Sequence, residues 1–253
     1  MTGASSGIGE AFARHHAAAG HVVILTGRSV EALSRITDEL NRAGHRARFV
    51  VADLSTAAGV DALIGECGDL DVLVANAGVT AAAAVGTTDP DDLGRLTYLM
   101  TAGVVRLCEA LVPGMLARGR GDVVVVSSIA SFTPMRKAAP YAASKSFATA
   151  YAQSLSLEVR TKGVRVVAMC PGYVRTDLHR RAGLGHLSSK VPGWMWLDPD
   201  DIVEATEKAL TRGKVVVVPG TAYKVVRPFL SSRVAQGVWR RLTRRDRTAT
   251  GGG

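Results

Sequence analysis

Thr2-Gly3-Ala4-Ser5-Ser6-Gly7-Ile8-Gly9 is the stretch whose reading decides the fold. Glycines at 3, 7 and 9 let a backbone turn tightly and approach a ligand closely. Ile8 to Ala19 then reads as a helix. A helix that opens straight out of such a turn offers its first amides and its positive dipole end to an anion such as a pyrophosphate. A plain surface loop can look the same, so the reading depends on the pattern of the chain beyond Ala19.

Beyond Ala19 the chain alternates between strand and helix. His21 to Thr26 reads as a strand, Ser29 to Ala43 as a helix stopped by Gly44, and Arg46 to Val51 as a strand. Asp71 to Ala75 is continuously apolar, the pattern of a strand buried on both faces. Asp89 to Arg118 reads as one long helical region, with Pro90 suited to its start. Val123 to Ser127 is a strand, Pro140 to Lys162 a helix and Val164 to Met169 a strand. Asp198-Pro199 opens a helix running to about Arg212, and Lys214 to Val218 forms the last strand. Strands separated by helices pair in parallel through right-handed crossovers. The expected fold is therefore α/β: a Rossmann-like, doubly wound parallel sheet with helices on both faces and a dinucleotide crevice. In such a sheet a strand precedes the glycine-rich turn, yet only Met1 stands before Thr2. The expectation is a truncated first strand, an empty central slot with unpaired backbone groups beside it, and poor stability.

The 253 residues fit one domain, and a hydrophobic content of 47% supplies its core. No continuous apolar run reaches the ~18 residues of a membrane span, and no signal peptide opens the chain. Cys67, Cys108 and Cys170 are scattered and odd in number, which points to a reducing, cytoplasmic setting. The His residues have no zinc-site spacing, so no metal is expected. The net charge of +9 lies entirely in residues 212–253, where ten Lys/Arg face Asp246 alone, and the remaining body is neutral. That distribution suggests a local contact rather than general polyanion binding. No nucleic-acid motif accompanies it.

Tyr141-Ala142-Ala143-Ser144-Lys145 carries the chemistry. A spacing of four stacks a phenol and an ammonium on one helical face. The ammonium should lower the phenol from its ordinary pKa of about 10 and fit it for proton exchange near neutral pH. Ser128 ends the apolar run Val123–Val126, thirteen residues upstream of Tyr141. Taken alone, a Tyr-x-x-x-Lys pair is common on amphipathic helices, and a Ser at a strand end is often a cap. With the glycine-rich turn, and in this order, the set resembles the classical short-chain dehydrogenase/reductase family over nearly the whole chain.

The resemblance implies carbonyl–alcohol interconversion with a nicotinamide cofactor. Tyr141 would give or take the proton, Lys145 would hold the nicotinamide ribose, and Ser128 would hydrogen-bond the substrate oxygen. Gly3, Ser5, Ser6, Gly7, Ile8 and Gly9 would surround the pyrophosphate. Arg28 stands where an acid would select NAD, and a guanidinium there can pair with a 2′-phosphate, so NADP(H) is favoured over NAD(H). The alternative for Arg28 is a solvated residue at a helix start. Asp53 and Leu54 would meet the adenine, or Asp53 could cap the next helix. Asn76, Ala77 and Gly78 match the Asn-Ala-Gly after the fourth strand, Asn76 tying the sheet together. Pro171, Gly172, Val174 and Thr176 match the segment beside the nicotinamide. Many members carry an Asn where alignment on Gly103 puts Met100, whose side chain cannot hold a water in the same way.

By resemblance, residues 177–198 form the lid over the substrate. Trp194, Met195 and Trp196, with Met135, suggest a small, apolar substrate, or simply the packing of the lid. From Tyr223 to Arg247 apolar residues mix with seven Arg and Lys224. This segment reads as a peripheral membrane contact, or as a helix packed on its own body or in a dimer. Thr248 to Gly253 are small and polar and are expected not to fold. The resemblance also implies a homodimer or homotetramer built on the helices near 89–118 and 140–162. A second reading of the whole is a catalytically idle dinucleotide-binding sensor or scaffold. A third is a membrane-bound form of the enzyme acting on lipid-like substrates.

Overall fold

A computed structural model describes residues 1–79, 84–176 and 191–230. In chain order its regular elements begin with α1 (Gly7–Ala18), β1 (Val22–Gly27), α2 (Val30–Arg42), β2 (Arg46–Val51), α3 (Ala57–Cys67) and β3 (Val72–Ala75). They continue with α4 (Pro90–Met100), α5 (Ala102–Arg118), β4 (Gly121–Val126), α6 (Ala139–Val159) and β5 (Val164–Met169). The last are α7 (Pro199–Thr211), β6 (Val216–Val217) and α8 (Thr221–Leu230).

Every strand pairing is parallel, with β1 beside β2 and the order β3-β4-β5-β6 in the second group. Side chains alternate faces along each strand. Val123 and Val125 therefore join one core with Leu63, Leu107, Leu111 and Leu155 from α3, α5 and α6. Val124, Val126, Val167 and Met169 join Phe12, Ile202 and Leu210 from α1 and α7 on the other face. A third cluster packs α1 and α2 on β1 through Ala13, Leu25, Leu33 and Ile36. These two covered faces explain why the strands read as continuous apolar runs.

The slot between β1 and β3 holds Met1 and Thr2. The Met1 amine donates to Ile24 O at 2.8 Å, and Thr26 N donates to Met1 O at 3.0 Å. On the other side Thr2 N donates to Val74 O at 2.9 Å, so this short stub joins the two strand groups at the end where the glycine-rich turn begins. The expected empty slot is thus bridged at that end.

Local chemistry sets the helix starts. The Ser29 hydroxyl accepts from Ala32 N (3.2 Å), and Asp89 accepts from Asp91 N (2.8 Å) with Pro90 next to it. Asp198 and Asp201 form a reciprocal capping box at α7. The long helix read over 89–118 is in fact two, α4 and α5, broken at Thr101 (φ −128°, ψ −91°). Together they are long and apolar enough to cross a membrane, but α5 buries Val104, Leu107, Leu111 and Met115 in the core. The last strand shrinks from the expected 214–218 to Val216–Val217, because only Ala168 and Met169 of β5 face it.

Candidate active site

The glycine-rich turn fits the backbone around it with no room to spare. Gly3 has φ +63°, and a Cβ there would lie 2.9 Å from Ala77 Cα. Gly7 has φ +58°, with the Thr176 methyl 2.7 Å from where its Cβ would be. A Cβ on Gly9 would run into the Gly3 carbonyl and lie 2.7 Å from Asn76 Nδ2. Asn76 locks the turn to the end of β3 by donating to Thr2 O (2.9 Å) and Gly3 O (3.2 Å). The Thr2 hydroxyl in turn accepts from Asn76 N (2.8 Å) and Ala77 N (2.9 Å). Thr2 is part of the motif, but its residue type alone does not reveal this role for the hydroxyl.

The turn floors a cleft of about 330 Å³. Ser5, Ser6, Gly7 and Ile8 line it beside Asn76, Ala77 and Gly78. Arg28, Asp53, Leu54 and Thr176 complete its lining. Twelve of the residues read as cofactor contacts thus share one cleft, with Gly27, Ala52, Ser55, Val79 and Leu99 added by the structure. Helix α1 opens onto it with no side-chain cap from Ser6. A glycine cradle and an uncapped helix start suit a pyrophosphate. A larger hollow of about 640 Å³ between α1 and α7 is lined by Arg14, His15, Glu204, Glu207 and Lys208 and holds none of these groups. The cleft built by the turn is the one that gathers the residues read as cofactor contacts.

Arg28 is exposed at the cleft, and Ser29, not Arg28, caps α2. Asp53 does not cap α3; that is Thr56, which accepts from Gly59 N at 3.1 Å. Instead Asp53 Oδ1 accepts from Ser55 N (3.1 Å) and the Ser55 hydroxyl (2.7 Å). These bonds hold its carboxyl below the ordinary value, aided by the charges of Arg28 and Arg95.

Pro171, Gly172, Val174 and Gly9 do not line the cleft, although Gly9 builds its turn. Pro171 O accepts from Ile129 N at 2.9 Å. Val174 is buried, bridges Leu197 and accepts from Thr176 N at 2.8 Å. Gly172 is covered by the ring of Tyr223, a residue whose surrounding sequence reads as tail. The Tyr223 hydroxyl donates to Met195 O (2.7 Å) and accepts from Tyr173 N (3.0 Å). It therefore clasps the two segments that flank residues 177–190, which lie outside the described residues. Residues 191–198 of the expected lid are described, and Arg175 N donates there to Leu197 O at 2.9 Å.

Ser128, Tyr141 and Lys145 come together where β4 ends and α6 begins. Ser128 is buried and accepts from Ala130 N at 3.1 Å, so it does cap the 3₁₀ turn Ile129–Phe132. It also acts on the Tyr141 phenol, favouring its ionised form. The Lys145 ammonium is buried and donates to Val126 O at 2.9 Å. It lies 5.9 Å from the centre of the Tyr141 ring. A Cβ on Gly78 would be 3.3 Å from that ammonium and 3.8 Å from Met100 Cγ. Gly78 thus links the cleft to the Lys, and Met100 fills the space expected from the alignment.

The electrostatics of the pair correct one expectation. Lys145 does not pull Tyr141 down: burial pushes the Tyr141 phenol up, and only Ser128 opposes it. Burial also pushes Lys145 down to about 8.

A parallel doubly wound sheet, a glycine cradle at a helix start and a Ser–Tyr–Lys cluster beside it define an oxidoreductase-type dinucleotide fold. Residues 1–185 match the family model for short chain dehydrogenases. The chain is 34% identical over 86% of its length to a glycine betaine reductase of Emericella nidulans. It is 37% identical over 72% of its length to dehydrogenase/reductase SDR family member 7B of Bos taurus. The matched region is 18% of the first protein and 59% of the second, so the chain spans only part of each. A short-chain dehydrogenase of Sphingobium yanoikuyae, solved with NADPH, is 27% identical and superposes with a TM-score of 0.81. That likeness covers 100% of this chain and 97% of the other. The chain belongs to the short-chain dehydrogenase/reductase family, oxidoreductases that act on CH–OH groups with NAD(P).

Proposed function

We propose that this chain interconverts a carbonyl and an alcohol on a small, hydrophobic substrate with NADP(H). The observation that carries the reading is the convergence of Ser128, Tyr141 and Lys145 beside Gly78, at the edge of the glycine-floored cleft. Bound cofactor would supply or accept the hydride. Tyr141, protonated in this setting, is placed to donate its proton to a substrate oxygen. The Ser128 hydroxyl supports that oxygen as charge develops on it. The exposed Arg28 guanidinium, on the Asp53 side of the cleft, favours a 2′-phosphate over a bare ribose hydroxyl. The NADPH in the Sphingobium relative supports the same preference. Met195 and Trp196, the latter against Tyr173 at 5.4 Å between ring centres, would supply an apolar wall.

A homodimer or homotetramer through α4, α5 and α6 belongs to this reading, supported by exposed Phe147 and Leu157 on α6. So does a cytoplasmic location, supported by three cysteines that are free thiols. The idle-sensor reading draws on Met100 and on a Tyr141 that burial raises. NADPH oxidation with a panel of aryl and alkyl ketones separates the two readings. Tyr141→Phe should lose about 10²–10⁴-fold in turnover and keep nucleotide binding. Absence of turnover across the panel in the unaltered chain, with NADPH bound, would favour the sensor.

A further inference from the structure

Helix α8 is turned the wrong way round for a helix that only packs on its own domain. Tyr223 is buried, and the Arg227 guanidinium lies 4.8 Å from the centre of the Phe132 ring, so its cation faces the body. Val225, Val226 and Phe229 face out, Val225 and Phe229 at 63% and 59% exposure. Lys224 is exposed beside them. Exposed Trp194 sits next to Met195, whose carbonyl accepts from Tyr223. Three large apolar side chains on ten residues of helix form a patch that calls for a partner.

The charge says which partner. Residues 212–253 hold ten Lys/Arg against one acid, and the rest of the chain is neutral. A symmetric contact between two copies through this face would bring two such +9 segments together. The body, whose acidic and basic residues balance, offers them no net compensating charge. An anionic lipid surface satisfies both features, since apolar side chains enter the acyl boundary while Lys and Arg meet the headgroups. We propose that the α8 face, centred on Val225 and Phe229, docks this protein on an anionic bilayer. The basic residues that continue the chain, Arg233, Arg240, Arg241, Arg244, Arg245 and Arg247, add the electrostatic part.

The full chain is mixed with phosphatidylcholine vesicles, with and without phosphatidylglycerol, and sedimented without cofactor or substrate, so the result is independent of catalysis. It should sediment with the anionic vesicles only and be released by salt. Phe229→Ser and Val225→Ser, both at exposed positions and checked for an unchanged melting curve, should weaken this about tenfold. No sedimentation, or equal sedimentation of both variants, overturns the proposal. So does a fall in particle mass on Phe229→Ser by light scattering, which would assign the face to a second copy.

Discussion

Lys145 is only 5% exposed and carries a charge whose burial the fold must tolerate. Its pKa is held at about 8, below the ordinary 10.5. The unfolded chain therefore binds this proton more tightly between those values, and stability rises with pH across that window. Below about pH 8 the full penalty applies. Lys145→Met should abolish turnover yet stabilise the fold at pH 7 by about 1–3 kcal/mol. Urea unfolding at pH 7 and pH 9.5 checks the sign: the gap between the two proteins should narrow at the higher pH, and a constant gap would contradict it. Tyr141 points the opposite way, since burial favours its neutral form. The sequence showed which two residues meet but not their electrostatics. The Val126 carbonyl that accepts from Lys145 belongs to β4 and lies outside the Tyr-x-x-x-Lys spacing.

At the scale of elements, the glycine-rich turn and the Tyr223 clasp carry separate predictions. Gly9→Ala puts a methyl against Gly3 O and Asn76 Nδ2. The turn must open, costing on the order of 1–3 kcal/mol of stability and the nucleotide site with it. A variant that melts normally and binds NADPH would contradict this fit. Tyr223→Phe keeps the ring on Gly172 and removes a hydroxyl that serves both Tyr173 N and Met195 O. It should cost about 1–2 kcal/mol in urea unfolding and raise the substrate KM more than it lowers kcat. The glycine turn was legible because turn, helix start and close approach all leave their mark in residue type. The clasp was not, because Tyr223 lies in a run whose composition reads as an amphipathic tail and whose contacts are set 50 and 28 residues away. The break at Thr101 escaped for a similar reason: Leu99, Met100 and Thr101 read as continuous helix, and Gly103, whose Cβ would lie 3.1 Å from Tyr98 O, shows its close approach only in the fold.

Across the whole molecule, the parallel sheet and its two covered faces were legible from apolar runs separated by helices, because parallel strands buried on both sides show no polar alternation. The join at Met1 and Thr2 was not, since two residues make the rungs of a strand only through partners on β1 and β3. If α6 supplies the contact between subunits, Phe147→Glu should dissociate the assembly to monomers in light scattering while the monomer retains its NADPH site. An unchanged mass would move the interface elsewhere. The measurement that bears most directly on the central claim is a titration with NADPH and NADH followed by nicotinamide fluorescence, on the unaltered chain and on Arg28→Ala. NADPH should bind at least about tenfold more tightly than NADH, and the preference should vanish in the variant. Equal affinities in the unaltered chain, or a preference that survives the loss of Arg28, would contradict the account.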